Sequence, residues 1–341
     1  MNGRVLIRVV TTGRWRYSGR IIEAERAEDD SMDSVTVDVV MLAIRELPKN
    51  PERKRRPRLE LCAALVRREE EPFKGCRALP GDFVMRDPHG RQESLDDTAL
   101  RTLSDAIGVS VQQFEQFYLD QLRAYGEPTR DPGGSVSVAY VAVVPPTVVA
   151  EGEGRLAMRA GLAAQRGQPR AIAAPAVAEW TPVNEVLADA GTLAFDHAQI
   201  LADAVKRVAA LIDSTALATA FLDAAFTVPQ LRRVYEIVWG LGHNVLDSSN
   251  FHSRVSKMPE VFERLEDTAA AAEERVPAWG DILARSSAVS FDVSDSDVAS
   301  APSLWSQASP GRPPSSYFRR GRRILEQGFT APLDRPIRTR R

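Results

Sequence analysis

Two kinds of hydrophobic spacing divide this chain. Residues 34–44 (SVTVDVVMLAI) and 59–67 (LELCAALVR) are aliphatic runs of strand length, and residues 116–125 and 135–144 (SVSVAYVAVV) repeat that signature around a loop holding Pro and Gly. Such runs, bounded by polar or proline-bearing turns, predict four strands. Between the two pairs, Leu95, Ala99, Leu103 and Ile107 recur every four residues, which is the apolar stripe of a helix. Ser94 with Asp97 resembles a capping box, and Gly108 suits a C-terminal stop. Strands bracketing a helix predict an α+β sandwich over residues 34–150.

From Asp196 the spacing becomes helical throughout. Asp196 can cap a helix that carries His197, Ile200, Leu201, Ala204, Val205 and Val208 on one buried face. His197 reads as a packed residue at the helix start, because no partner constellation accompanies it. A second helix starts at Thr227 with Pro229 in its first turn and runs to Val238, residues 240–244 form a glycine-bearing turn, and residues 247–258 (DSSNFHSRVSKM) form a third. Helix, turn and helix at this length predict a helix-turn-helix, a unit that binds DNA or serves as a packing or dimer module. Phe251 and Val255 should face its core, leaving Ser249, Asn250, Ser253, Arg254 and Lys257 outward.

The remaining segments complete a division into parts. Residues 1–33 read as an N-terminal extension, with Met32 as an alternative start. Residues 151–178, rich in Ala, Gly, Gln and Arg, read as a linker or a single helix, with a boundary near Trp180. Residues 179–341 then form the helical domain, interrupted by an insertion over about 259–310 that holds a helix near 260–274 and followed by a basic tail.

Length and composition agree with two modest cores: 341 residues, 44% of them hydrophobic. The net charge of −2 gives no global attraction to nucleic acid, so any such binding rests on local patches. Two cysteines, Cys62 and Cys76, are too few for a disulfide framework and lack zinc spacing, which fits a reducing, cytoplasmic setting. No apolar run reaches bilayer length, so no membrane partner is expected.

Candidate chemistry lies at residues 93–109 (ESLDDTALRTLSDAIGV). Glu93, Arg101, Leu103, Gly108 and Val109 keep the spacing of a Nudix box, whose helix carries three glutamates that gather Mg2+ for diphosphate hydrolysis. Those three positions are Thr102, Asp105 and Ala106 here, so one carboxylate survives on that face. Weak metal binding and little or no hydrolysis follow, with no cofactor unless Mg2+-dependent activity persists.

The segments PFKGCRALPGDFV, ESLDDTALRTL, YLDQLRAYGEPTRDPGGSVSVAYVAVVP and AFDHAQILADAVKRV occur in the order of one family. The chain resembles the Nudix-related transcriptional regulators of NAD metabolism over about residues 34–258, with Gly311–Phe318 resembling the wing. It departs in having Asp82 where the family has a second glycine, and a longer loop before Glu93. The resemblance implies a Nudix-like α/β/α sandwich that senses ADP-ribose or a related nucleotide, followed by a winged helix-turn-helix that binds operator DNA as a homodimer.

On that reading the ligand residues are Arg77, Arg101, Arg130 and Asp131, although Asp131 with Pro132 also suits a plain turn. The DNA residues are Asn250, Ser253, Arg254, Lys257 and Arg312, since Arg and Lys hold phosphates or guanine edges and Asn pairs with adenine. The competing reading is a Mg2+-dependent Nudix hydrolase in which Glu93, Asp105 and Glu115 or Glu127 rebuild the metal site. A regulator that keeps the domain only to dimerise is a third.

Overall fold

The structure is a computed structural model that describes residues 13–17, 20–24, 35–47, 58–86, 89, 91–110, 113, 117–165, 178–265, 317–334 and 336–337. Strands β1 (Gly13–Tyr17) and β2 (Arg20–Ala24) pair antiparallel as a hairpin. A seven-stranded mixed sheet follows. It is built from β3 (Val35–Leu47), β4 (Arg58–Arg67), β5 (Arg77–Ala78), β6 (Gly81–Phe83), β7 (Tyr118–Tyr125), β8 (Val136–Val143) and β9 (Glu179–Pro182). The path runs β5-β4-β3-β8-β7, with β6 on β3 and β9 on β4. Among the described strands only β3 and β8 pair parallel, with Val39 opposite Tyr140.

Strand β3 is buried on both faces, which is why its sequence is an almost unbroken aliphatic run. Alternation sends Val37, Val39, Met41 and Ala43 to one face and Val40, Leu42 and Ile44 to the other. The first face packs against Ala99, Leu103 and Ile107 of α1 (Leu95–Ile107) and Val148 and Val149 of α2 (Pro146–Gln165). Ser94 caps α1 by accepting from the Asp97 N–H, and Gly108 ends it in the left-handed region at φ 71°. A Cβ at Gly152 would collide with the Ile107 carbonyl, so glycine allows α2 to lie against the end of α1.

After α3 (Val183–Ala188), the second face is covered by Ile200, Leu201, Ala204 and Val208 of α4 (His197–Ser214), making three layers. The same cluster continues into Leu231, Val234 and Tyr235 of α5 (Val228–Val238) and Phe251 and Val255 of α6 (Ser248–Ser256). Thr227 and Gln230 form a full capping box on α5, with Pro229 in its first turn. Strands β10 (Ala225–Phe226), β11 (Phe262–Leu265) and β12 (Tyr317–Arg320) form a small sheet in the order β10-β12-β11, and α7 (Arg322–Gln327) follows.

Several sequence expectations change. Residues 151–165 continue α2, so the linker is helical there. Residues 179–182 complete the first sheet as β9 and α4 forms its second helical layer, although sequence spacing grouped both with the winged domain. Residues 262–265, placed inside an insertion with a helix, are a strand whose buried Phe262 belongs to the wing. Strand β7 covers Tyr118–Tyr125, and residue 116, where sequence placed its start, lies outside the described residues. Asp196 precedes α4 without capping it through its side chain.

Candidate functional site

The degenerate box keeps its frame. Arg101 donates from Nε to Glu93 Oε1 at 3.0 Å and from Nη2 to Oε2 at 2.9 Å, while Nη1 meets Asp82 Oδ2 at 2.5 Å and Nη2 reaches the Phe83 carbonyl at 3.0 Å. Thr98 Oγ1 adds a contact to Glu93 Oε2 at 3.0 Å. Burial works against the charge of Arg101, yet the hydrogen bonds to Glu93 and the charge of Asp82 raise its hold on the proton. A bidentate guanidinium–carboxylate pair of this kind fixes the loop before α1 to the helix.

On the face of α1 where the box spacing calls for glutamates, Thr102 and Ala106 are buried, and Thr102 Oγ1 donates to the Thr98 carbonyl at 2.9 Å. Thr102 and Ala106 offer Mg2+ no carboxylate and Glu93 is held by Arg101, which leaves Asp105 alone at these positions for an ion bound through carboxylates, waters and phosphate oxygens, a poor fit. Among the described residues no cluster of three or more His, Cys, Asp or Glu is placed to hold a metal.

A second polar cluster lies on the opposite face of the sheet, at the start of α4. Arg130 is buried and donates from Nε and Nη2 to the Asp196 carboxylate at 2.8–3.1 Å and from Nη1 to the Ser135 carbonyl at 3.2 Å. Asp38 of β3 accepts from Ser137 Oγ at 2.5 Å and lies 3.7 Å from Arg130 Nη2. The backbone N–H of Leu79 donates to His197 Nδ1 at 2.9 Å, so the neutral ring carries its proton on Nε2, 3.6 Å from Asp38. Burial lowers the His197 pKa, with Asp38 opposing. A Cβ at Gly81 would strike the Asp38 carboxylate, which explains glycine there.

Arg130 and Asp196 of this cluster line a cleft of about 620 Å3. Its walls come from the β4–β5 loop (Phe73), the end of β7 and its following loop (Arg123 to Arg130), and the entry to α4 (Phe195, Asp196, Gln199). Arg123 stacks on the Tyr125 ring at 3.8 Å, and both donate to Asp203 Oδ2, at 2.7 and 3.0 Å. Asp131 closes the neighbouring turn, accepting from the N–H groups of Gly133 and Ser135.

In the helix-turn-helix, buried Glu236 accepts from the Leu246 N–H at 3.3 Å and pairs with Arg233, fixing the turn between α5 and α6. Asn250, Ser253 and Lys257 are exposed on α6. Arg254 instead donates from Nη1 to the carbonyls of Pro336 and Ile337 at 2.8 and 2.6 Å. Ile337 is itself buried, so Pro336 and Ile337 are held against α6. Of the tail arginines, Arg319 pairs with Glu263, Arg322 with Glu326 and Arg323 with Asp334.

The ligand residues expected from sequence therefore separate. Arg130 reaches the cleft, Asp131 shapes its edge, Arg101 sits in the box frame, and Arg77 donates to Thr192 Oγ1 at 3.0 Å. Arg312 and Glu115 lie outside the described residues. Sequence reasoning missed Asp38, Phe73, Tyr125 and Phe195. A lone aspartate inside an aliphatic strand was a readable signal for the first, whereas the aromatics carry no spacing that announces them.

No family model matches the chain. It is 30% identical over 197 residues, 58% of its own length, to the ADPR responsive transcriptional repressor NtrR of Acinetobacter baylyi, and the match spans 66%, just under two thirds, of that relative. Among solved structures it is 27% identical to Shewanella oneidensis NrtR, covering 67% of this chain and 86% of that one with a TM-score of 0.49. The same protein complexed with a 27mer DNA matches at 25% identity, 69% and 89% coverage and a TM-score of 0.48.

Proposed function

We propose that this chain is an NrtR-like regulator, a DNA-binding repressor that responds to ADP-ribose or a related NAD-derived nucleotide. The observation that carries this reading is one continuous core joining a Nudix-type sandwich with a degenerate box to a helix-turn-helix and its small wing sheet. A box whose glutamate is held by Arg101 can keep its architecture without hydrolysis. For a ligand to control DNA affinity it must bind two arrangements unequally, and a shared core gives the sandwich a mechanical hold on the DNA-binding unit. The repressor acts as a homodimer, since helix-turn-helix proteins meet palindromic operators as symmetric pairs. The hydrolase reading is disfavoured by the committed Glu93 and by Thr102 and Ala106.

Fluorescence anisotropy on DNA from its own and neighbouring promoters, at two salt concentrations with and without ADP-ribose, tests this. Sequence-selective binding that ADP-ribose changes is the expected result. Salt-sensitive binding without selectivity rejects the regulator reading, and Mg2+-dependent release of AMP from ADP-ribose replaces it with the hydrolase.

A further inference from the structure

We infer that Asp223 is a two-position switch between the sandwich and the wing, held on Thr147 of α2 in one arrangement and on Arg320 of β12 in the other. This rests on the sensor reading above and deepens it by naming a joint through which a ligand signal reaches the DNA-binding unit. Asp223 lies between the 3-10 helix Ala216–Phe221 and β10, so the chain ties it to the wing sheet, yet its hydrogen-bond partner belongs to the sandwich. Its Oδ1 accepts from Thr147 Oγ1 at 2.7 Å and from the Thr147 N–H at 3.2 Å. Thr147 is the second residue of α2, where backbone N–H groups have no acceptor within the helix. A carboxylate 76 residues away therefore caps that helix and meets the positive end of its dipole. In the next residues of α2, Val148 and Val149 pack with Ala99, Leu103 and Ile107 of α1, so the capped turn bears directly on the box helix.

Arg320 is the other half of the joint. It ends β12 beside the same segment, since its neighbour Arg319 pairs with Ala225 of β10. Its Nη2 donates to the carbonyls of Thr219 and Leu222 at 3.1 and 2.9 Å, and the guanidinium lies over the Phe329 ring at 4.8 Å. Its Nε is shut off from solvent and has no hydrogen-bond partner. A shielded donor without an acceptor costs free energy, and a carboxylate is the acceptor that suits a guanidinium best. The charge that acts on Arg320 is that of Asp223, yet among the described residues no hydrogen bond or close ion pair joins the two. Burial pulls the Arg320 pKa down to about 10 and pushes that of Asp223 up, so both charges are held against the cost of desolvation.

A carboxylate with one partner on the sandwich, facing a wing guanidinium whose Nε lacks an acceptor, is a bistable element. With Asp223 on Thr147, the segment that leads into β10 is docked on α2. With Asp223 on Arg320 Nε, the unpaired donor is satisfied, the α2 cap is released, and the wing sheet is free to shift against the sandwich. A ligand that favours one arrangement of the sandwich then biases the position of the wing. Asp223, Thr147 and Arg320 are positioning residues in this device.

Fluorescence anisotropy of the full chain on the promoter DNA it binds, with and without ADP-ribose, reads the switch in three variants checked for folding by circular dichroism. Asp223→Asn keeps an acceptor for Thr147 but removes the charge that Arg320 attracts, so it holds the first arrangement. Thr147→Val removes the hydroxyl donor and favours the second, and Thr147→Ser restores that donor. We expect the DNA affinity of one of the first two variants to match the wild type without ADP-ribose and that of the other to match the wild type saturated with it. Neither should respond to ADP-ribose by more than about twofold, and Thr147→Ser should respond as the wild type does. A wild-type response kept by Asp223→Asn or Thr147→Val, or a shift of DNA affinity in the same direction in both, overturns this inference and leaves the sensor reading standing. A wild type whose DNA affinity ADP-ribose leaves unchanged overturns both.

Discussion

Arg130 and Asp196 are joined by hydrogen bonds from two guanidinium nitrogens at 2.8–3.1 Å, although 66 residues separate them in sequence. The pair ties the loop between β7 and β8 to the start of α4, and the Arg130 side chain is only 4% exposed. Replacing Asp196 with alanine leaves a buried guanidinium with the Ser135 carbonyl and the more distant Asp38 carboxylate as its remaining partners. We expect Asp196→Ala to cost about 3 kcal/mol, read as a shift of the urea midpoint with an unchanged m-value. A loss below about 1 kcal/mol would mean the pair is solvated like a surface salt bridge.

His197 supplies a pH dependence with a definite sign. Its folded pKa lies below the ordinary value of 6.5 because burial disfavours the imidazolium. The unfolded chain therefore takes up a proton first as pH falls, so this contribution is complete above about pH 6.5 and declines below it, until the folded-state ring also protonates. His197→Asn, whose amide oxygen can accept from the Leu79 N–H, should flatten this part of the stability profile between pH 7 and 5. An unchanged profile would assign the acid sensitivity to other groups.

Restoring carboxylates to the box should not by itself restore catalysis. With Thr102→Glu and Ala106→Glu both introduced, Glu93 remains held by Arg101 and Asp82 still occupies the third side of that guanidinium. The expected rate of Mg2+-dependent AMP release from ADP-ribose is background, followed by chromatography. Both replaced positions are buried, so a destabilisation of about 2 kcal/mol or more accompanies the charges.

On α6, Lys257 and Arg254 should behave differently. Lys257 is exposed and free to meet a phosphate, so Lys257→Ala should weaken DNA binding across sequences and reduce the salt slope by about 1. Arg254 holds the carbonyls of Pro336 and Ile337, so Arg254→Ala should loosen the C-terminal strap, detectable as faster proteolysis near residue 334 even without DNA. Equal protease resistance in the two variants would contradict that role.

The cysteines give a simple check of packing. Burial pushes the Cys62 thiol up to about 12, whereas Cys76 is only half-buried. Iodoacetamide at pH 8 should label Cys76 in the folded protein, with Cys62 reacting only after denaturation.

What the sequence determined by itself is whatever depends on neighbours in the chain. The Ser94 cap, the Gly108 stop, the apolar stripe of α1, the helix start at Thr227 with Pro229 in its first turn and the inward pair Phe251 and Val255 are all set within one or two helical turns, and each was legible. The loss of the box carboxylates at Thr102 and Ala106 was equally local. Tertiary structure decided what depends on distant partners. Helix α4 is a second layer of the sandwich because its Ile200 face meets Val40 and Leu42 across the sheet, which helical spacing alone cannot distinguish from membership of the next domain. Phe262 became wing rather than insertion because β12 arrives from residues 317–320 to pair with it. The cleft is the extreme case: Phe73, Tyr125, Arg130 and Phe195 come from three separate segments, and only the closure of the sheet onto α4 brings them together.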